Sequence, residues 1–152
     1  WKNILFDGQT SGSMAEFTWD LKDNPVPDVC RLPMDFVMDI TDDTTRANGA
    51  RHITTFTIAG RDSSNGSLKR SKLSYVDAAG ETHDLGESTA TSPSWEINDD
   101  VTQIIWTPME SNGTATFAPE GEQANRMLSL FEIIIVEDAE VSATGITFDE
   151  TS

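Results

Sequence analysis

The sequence is poor in the residues that most metal centres and nucleophilic active sites require. Cys30 is the only cysteine, so the chain cannot form an internal disulfide, and no CxxC motif or Cys/His cluster provides zinc-ligand spacing. We interpret Cys30 as a partly buried small residue, not as a nucleophile. The sequence also lacks an ordered Ser/His/Asp set, a phosphate-binding loop and an HExxH motif. Acids are so numerous that no pair stands out as catalytic carboxylates, and we expect no enzymatic activity.

Basic residues and long apolar runs are scarce as well. Ten Lys and Arg residues stand against 26 Asp and Glu residues, which gives a net charge of −16. A field of this sign repels phosphate backbones, anionic lipids and polyanionic glycans, and it favours neutral ligands and cations such as Ca²⁺. We therefore expect no nucleic-acid partner, although the charge can equally serve solubility alone. No stretch approaches the roughly 20 apolar residues that span a bilayer, so we expect no membrane insertion.

Length and termini predict one principal domain. The chain has 152 residues, 37% of them apolar, which is sufficient for one sizeable core. It begins with Trp1 and shows no apolar signal segment, which favours a mature form or a fragment of a larger protein. We expect the domain to cover residues 1–137. The acidic tail, residues 138–152, is predicted to be either a linker or one more edge strand.

Short apolar segments, separated by Gly, Pro, Asn and Asp, indicate strands and no helix of convincing length. The strongest segments, Val101–Thr107 and Met127–Val136, are rich in β-branched and aromatic residues. Many short strands with polar connections indicate an all-β sandwich or barrel. The predicted strands are Ile4–Phe6, Glu16–Leu21, Met34–Ile40, Ile53–Gly60, Leu68–Asp77, Thr82–Leu85, Ser94–Ile97, Val101–Thr107, Thr114–Phe117 and Arg126–Glu137.

The order of these strands predicts where the polar loops lie. Neighbouring strands usually pair antiparallel, so we expect a hairpin of Met34–Ile40 with Ile53–Gly60. A strand of eight residues spans roughly 26 Å, which places His52 out of reach of Arg61. His83 follows the turn that returns to the His52 end of the sheet. Both histidines are therefore expected far from the loop that carries Arg61.

Four ordered segments point to a known family. They are an Asp-Gly…Thr…Trp opening, an apolar strand that ends in Asp, an Arg…Asn-Gly loop followed by a strand and an Asp-Ala-Ala-Gly turn, and a last apolar strand that contains Glu. In this pattern the chain resembles the discoidin, or coagulation factor V/VIII type C, superfamily, and most closely the bacterial family 32 carbohydrate-binding modules. The resemblance implies an antiparallel β-sandwich of the jelly-roll, discoidin-like galactose-binding type. The segments are Leu5–Gly8 with Thr18-Trp19, Leu32–Asp39, Phe56–Gly66 with Leu73–Gly80, and Arg126–Ile135.

The resemblance also implies a structural Ca²⁺ site that joins the beginning and the end of the domain. Ca²⁺ takes about six to eight oxygen ligands. Asp7 offers a carboxylate beside a glycine that lets backbone carbonyls turn inward, and Glu132 stands in an apolar run, where an unpaired buried carboxylate would be costly. Alternatively, Asp7 caps a turn and Glu132 faces solvent on an edge strand. Further candidate oxygen donors are Gln9, Thr10 and Thr18.

A sugar-binding site built on Arg61, Asn65 and Phe117 is the second implication of the resemblance. The guanidinium fork suits vicinal hydroxyl groups, an amide both donates and accepts, and an aromatic ring stacks on the C–H face of a sugar. Trp19 is a further candidate ring, and Trp95 is a weaker one. The alternatives are a surface ion pair for Arg61, a simple turn at Asn65, and a core position for Trp19.

Together these observations predict a non-catalytic carbohydrate-binding module for neutral galactose-type or N-acetylhexosamine glycans. We expect it to tether a larger, multidomain bacterial protein that is secreted or displayed at the cell surface, for example a glycoside hydrolase. The alternative function is a protein-binding or structural adhesion-type β-sandwich, because the same fold serves those purposes.

Overall fold

The computed structural model describes five ranges of the chain, the first of them by its backbone alone, and shows seven β-strands in them. No helix in these ranges is long and apolar enough to cross a membrane. The described ranges are residues 15–18, 32–40, 49–61, 65–113 and 127–137. The strands are β1 (Ala15–Thr18), β2 (Phe36–Asp39), β3 (Arg51–Gly60), β4 (Leu68–Asp77), β5 (Thr82–Ser88), β6 (Ser94–Ser111) and β7 (Met127–Glu137).

Each predicted strand that falls within the described ranges is present, with one merger. The predicted strands Ser94–Ile97 and Val101–Thr107 form a single strand, β6. Asn98 adopts a φ of 50°, and two residues of β6 oppose one of β3 at this point. Ile97 and Asn98 therefore form a β-bulge opposite Thr54, because Asn tolerates the left-handed conformation that the bulge needs. The predicted strands Ile4–Phe6 and Thr114–Phe117 lie outside the described residues.

All strand pairs are antiparallel, and β6 is the strand that joins the two layers. Its first half pairs with β3, which pairs with β7, and β7 pairs with β1. Its second half lies between β2 and β4, and β4 pairs with β5. The fold is the antiparallel β-sandwich that the sequence predicts.

The predicted hairpin between β2 and β3 is wrong. Both strands pair antiparallel with β6, β2 along residues 103–106 and β3 along residues 94–101, so they run in the same direction along one edge of it. The amide of Ile40 donates to the carbonyl of Thr102 at 2.8 Å, which keeps the chain on β6 beyond β2. Phe36 packs on Trp106 with 5.2 Å between ring centroids. A strand as long as β6 provides partners for both segments, and the burial of apolar rings along it favours that pairing.

The expected position of both histidines relative to Arg61 does not depend on that hairpin. His52 lies near the start of β3, opposite Asp100 of β6, whereas Arg61 follows the end of β3. The turn after β4 reaches the same region, because the amide of Ala78 donates to the carbonyl of Asp100 at 3.1 Å. His83 comes just after this turn, on β5. Both histidines are therefore at the end of the sandwich opposite Arg61, as predicted.

The core consists of apolar side chains that the strands of both layers turn inward. Phe56 of β3 packs against Trp95 of β6, with ring centroids 6.3 Å apart, and Phe36 packs against Trp106 in the same core cluster. Aromatic rings bury more apolar area than any other side chains, so these pairs contribute a large share of the stabilisation. Fully buried core residues include Trp106, Phe56, Ile40, Ile53, Ile58, Leu68, Leu73, Ile104, Leu128, Leu130 and Ile133.

A buried ion pair joins the start of β3 to the end of β7. Nε of Arg51, the first residue of β3, donates to Oε1 of Glu137 at 2.9 Å, and Nη2 donates to Oε2 at 3.0 Å. Their side chains are 3% and 7% exposed. Glu137 is the last residue of β7, opposite Ile53. The two-pronged geometry fixes the register of β3 and β7 where the latter ends.

Candidate functional site

The Arg61 loop, residues 61–67, is fastened to its neighbours by backbone hydrogen bonds. The amide of Ser129 donates to the carbonyl of Gly66 at 2.9 Å, and the amide of Asn112 donates to the carbonyl of Ser67 at 2.8 Å. Gly66 has a φ of 91°, and a Cβ at this position would lie 2.5 Å from Oγ of Ser129. Glycine is needed here both for the backbone conformation and for the close approach to β7. The end of the Arg61 loop is therefore held against the start of β7 and the end of β6.

Arg61 and Asn65, the two predicted ligand residues within the described chain, lie side by side. Nη1 of Arg61 donates to the backbone carbonyl of Asn65 at 2.7 Å, on the exposed surface. This bond uses one of the five N–H donors of the guanidinium group. The side chain of Arg61 is thus held by a neutral carbonyl. Asp62, the partner named for the alternative surface ion pair, lies outside the described residues, so that alternative is untested. Asn65 is exposed at the tip of the turn.

The connection between β5 and β6 borders the Arg61 loop on another side. The amide of Gly60 donates to Oγ of Ser92 at 3.1 Å, and the amide of Ile58 donates to the carbonyl of Pro93 at 2.9 Å. The last residues of β3, immediately before Arg61, are thereby tied to this connection. The loop that displays the guanidinium group therefore starts from a rigid strand end, which limits the entropy lost when a ligand binds.

Phe117 and Trp19, the predicted stacking rings, lie outside the described residues, so their position relative to Arg61 stays a prediction. The two ends of the segment that carries Phe117 are described. Nδ2 of Asn112, just before the segment, donates to Oγ of Ser67 at 2.9 Å. Oγ of Ser111 donates to the carbonyl of Met127, just after the segment, at 2.7 Å. The segment thus begins and ends beside the Arg61 loop.

Trp95, the weaker candidate for a stacking ring, belongs to the core. It is 8% exposed and packs against Phe56. A side chain so enclosed cannot present a face to a sugar. Alternation along β6 explains the position, because Trp95 and Ile97 share the inward face of this strand.

Glu132 is the one predicted Ca²⁺ ligand whose side chain is described. It lies on β7 opposite Ala59 and is 5% exposed, so the alternative in which Glu132 faces solvent is wrong. β1 pairs with β7, with Ala15 opposite Leu130, which brings the early part of the chain beside the last strand. A buried carboxylate at this junction suits a structural cation site. The other predicted ligands, Asp7, Gln9 and Thr10, lie outside the described residues.

A second polar cluster lies at the opposite end of the sandwich, where the sequence predicts no site. Nε2 of His83 is 2.7 Å from Oδ2 of Asp77 and 3.9 Å from Oδ2 of Asp99. The hydroxyl of Tyr75 donates to Oδ2 of Asp99 at 2.9 Å. The ring of Tyr75 stacks on His83, with centroids 4.7 Å apart and planes 13° from parallel.

These contacts change the proton affinities of three groups. The hydrogen bond with Asp77 raises the pKa of His83, and the same bond lowers the pKa of Asp77. Burial, followed by the bond to Asp99, raises the pKa of Tyr75 to about 12. The turn after β4 is the sequence signal for part of the cluster, because it pairs Tyr75 with His83 in the hairpin of β4 and β5. Asp99 comes from β6, which no local pattern links to that hairpin.

Comparison with known proteins identifies the fold. No protein-family model and no curated protein matches the sequence, but solved structures do. A family 32 carbohydrate-binding module of a family 31 glycoside hydrolase from Clostridium perfringens superposes with a TM-score of 0.59 at 11% identity, covering 91% of this chain and 83% of that one.

Two further modules of the same family and organism were solved with sugars bound. One, from C. perfringens NanJ in complex with galactose, has a TM-score of 0.54 at 16% identity, over 87% of this chain and 81% of that chain. The other, a C. perfringens GH89 module in complex with GalNAc-β-1,3-galactose, has a TM-score of 0.54 at 14% identity, over 87% and 80%. The chain therefore has the fold of the family 32 carbohydrate-binding modules, in agreement with the resemblance in its sequence.

Proposed function

We propose that this chain is a non-catalytic carbohydrate-binding module that recognises neutral galactose-type or N-acetylhexosamine glycans. The observation that carries the proposal is the exposed Arg61–Asn65 pair, in which the carbonyl of Asn65 holds the guanidinium of Arg61 at 2.7 Å. The pair stands at the end of a strand in a fold that C. perfringens modules solved with galactose and with GalNAc-β-1,3-galactose also have.

The chemistry of the pair suits neutral sugars. With one N–H directed to Asn65, the planar guanidinium of Arg61 can direct others towards two vicinal hydroxyl oxygens. The amide of Asn65 can donate to one hydroxyl and accept from another. The net charge of −16 disfavours sialylated or sulfated sugars, because their charge has the same sign as that of the protein. Phe117 is proposed as the ring that covers the apolar face of the sugar, and Trp19 as a second one.

Such a site fits an ancillary domain. So few contacts on an open surface should give an affinity on the order of 0.1–1 mM per site. Attachment to a larger secreted or surface protein would compensate through multivalency. We propose that the domain keeps such a protein, for example a glycoside hydrolase, near its glycan, and that it has no catalytic role of its own.

A glycan array followed by titration calorimetry tests the site. We expect the full chain to bind terminal galactose or N-acetylhexosamine, and Arg61→Ala to lose binding roughly tenfold or more, because the guanidinium supplies hydrogen bonds to hydroxyl groups. Lys72→Ala is the matched control: it removes one positive charge from an exposed position on β4, away from the loop. Both variants should melt like the parent chain. Undiminished binding by Arg61→Ala would show that the sugar binds elsewhere.

We also propose a structural Ca²⁺ ion held by Asp7 and Glu132, with Gln9 and Thr10 supplying further oxygens. The support is the burial of Glu132 on β7 beside the pairing of that strand with β1. Chelation should lower the melting temperature, and added Ca²⁺ should restore it, since a ligand of the folded state alone stabilises that state. Glu132→Gln and Asp7→Asn should lose this response. A melt that is the same in chelator and in Ca²⁺ argues against the site.

A further inference from the structure

Three metal-ligating side chains converge at the end of the sandwich opposite Arg61. They are Asp77 at the end of β4, His83 on β5 and Asp99 on β6, and one ligand atom of each lies within 4.8 Å of the others. Among the residues that the structure describes, no other group of three or more His, Cys, Asp and Glu side chains meets in this way. The three residues come from separate strands, and each is half-buried, so an ion can reach the site from solvent.

The geometry points to a binding site for a divalent transition-metal ion of the zinc class, held by Nε2 of His83 and one carboxylate oxygen each from Asp77 and Asp99. Zinc bonds of about 2.0–2.2 Å in tetrahedral geometry place neighbouring ligand atoms roughly 3.3–3.6 Å apart. The observed separations from Nε2, 2.7 Å to Asp77 and 3.9 Å to Asp99, lie on either side of that range. Solvent would complete the coordination.

The ligand set decides which kind of ion is favoured. One imidazole with two carboxylates is a combination found with zinc and its neighbours in the first transition row, whereas Ca²⁺ and Mg²⁺ prefer oxygen ligands alone. The net charge of −16 attracts any cation to the surface, so charge alone does not discriminate between ions. The imidazole of His83 therefore provides the selectivity that we infer.

Hydrogen bonds outside the ligand set hold the carboxylates in position. Oδ1 of Asp77 accepts two backbone amides of the following turn, from Ala79 and Glu81, at 2.9 Å each, which directs Oδ2 towards His83. The hydroxyl of Tyr75 holds Asp99. Such outer contacts fix the orientation of ligands before the ion arrives, and they commonly change metal affinity by about 10–100-fold.

A bare hydrogen bond between His83 and Asp77 is the competing explanation, and the chain contains a matched example of one. Nδ1 of His52 lies 3.0 Å from Oδ1 of Asp100, at the same end of the sandwich. Within the described residues this second pair has no third ligand that would make it a metal site. His52→Asn therefore removes an equivalent His–Asp contact without touching the inferred ligand set.

The test is a titration of the metal-free full chain with Zn²⁺ alone, followed by calorimetry and by the imidazole nitrogen signals in NMR. We expect one ion per chain, a shift of the Nε2 signal of His83, and an unchanged His52. His83→Asn and Asp99→Asn should bind Zn²⁺ roughly tenfold more weakly or worse, whereas His52→Asn should bind it like the parent. His83→Gln repeats the test if the asparagine variant does not fold.

Proton competition provides a further readout. Because the ion binds neutral imidazole, the affinity for Zn²⁺ should fall as the pH drops below the pKa of His83, and binding should release a proton. The inference is overturned if His83→Asn or His83→Gln retains the parent affinity, or if Zn²⁺ leaves the His83 signals unmoved. Neither result depends on whether the chain binds a glycan, because Arg61 is not involved in the measurement.

Discussion

Replacing Arg51 by methionine tests whether the end of β7 is fastened to β3 by the buried ion pair. The two-pronged contact with Glu137 has N–O distances of 2.9 and 3.0 Å, and both side chains are almost fully enclosed. Removing one member leaves the other as a charge in a poorly hydrated place. Breaking a buried pair in this way costs about 3–5 kcal/mol. For a domain of this size, that corresponds to a fall in melting temperature of roughly 6–20 °C.

A double-mutant cycle separates the contribution of the ion pair to stability from the contribution of the apolar parts of the two side chains. Urea unfolding, followed by the fluorescence of the four tryptophans, gives the free energy of unfolding of each variant. We expect Arg51→Met and Glu137→Leu each to be destabilising, and the double variant to recover most of the loss, since two apolar side chains can replace a buried ion pair at little cost. The coupling energy should be about 3 kcal/mol or more, because it exceeds the cost of either single substitution whenever the double variant is the more stable one. A loss below about 1 kcal/mol in Arg51→Met, or a double variant no better than either single one, would refute the reasoning.

Two further predictions concern the two ends of the sandwich. Gly66→Ala should cost about 1–3 kcal/mol and weaken glycan binding, because the added Cβ would meet Oγ of Ser129 at 2.5 Å. Gly80→Ala is the control: Gly80 has a similar φ, but an added Cβ would meet no atom within 4 Å, so this variant should bind the glycan like the parent. In metal-free buffer, the stability difference between the parent and His83→Asn should be largest between pH 3.8 and 6.5, the ordinary pKa values of Asp and His. It should shrink above the raised pKa of His83 and below the lowered pKa of Asp77; a difference independent of pH would contradict the assignment.

The strands were predictable from sequence because their signal is local. The sequence predicts β4 with its observed bounds, Leu68–Asp77, since Leu73 and Tyr75 alternate with polar residues inside it and a turn follows. The continuity of β6 was not predictable in this way, because Asn98 and the two acids after it resemble a turn. Only pairing with β3 shows that Asn98 belongs to a bulge and that Asp99 and Asp100 continue the strand. Strand order is a non-local property, and the partners of β2 and β3 follow from the length of β6 and the rings that it buries.

The same distinction separates the two candidate sites. Arg61 and Asn65 are four residues apart in one loop, so their contact follows from a single turn. Asp77 and His83 flank another turn, and their proximity was within reach of sequence reasoning. Asp99, however, arrives from a strand that begins after β5, and nothing in its neighbourhood singles it out among 26 acids. A metal site without cysteine or a ligand-spacing motif becomes visible only when the sheet is assembled.

The length of β3 keeps the two proposals independent of each other. Asp99 lies opposite Ile53, and the strand continues to Gly60 before the chain reaches Arg61. Seven residue steps along a strand correspond to roughly 23 Å, more than a sugar or a hydrated ion can bridge. A zinc ion at the Asp77–His83–Asp99 cluster therefore cannot contact a glycan at the Arg61 loop. If a substitution in the zinc cluster abolished glycan binding, or a substitution in the Arg61 loop abolished zinc binding, the fold itself would have changed. The melting curve of that variant would show the change.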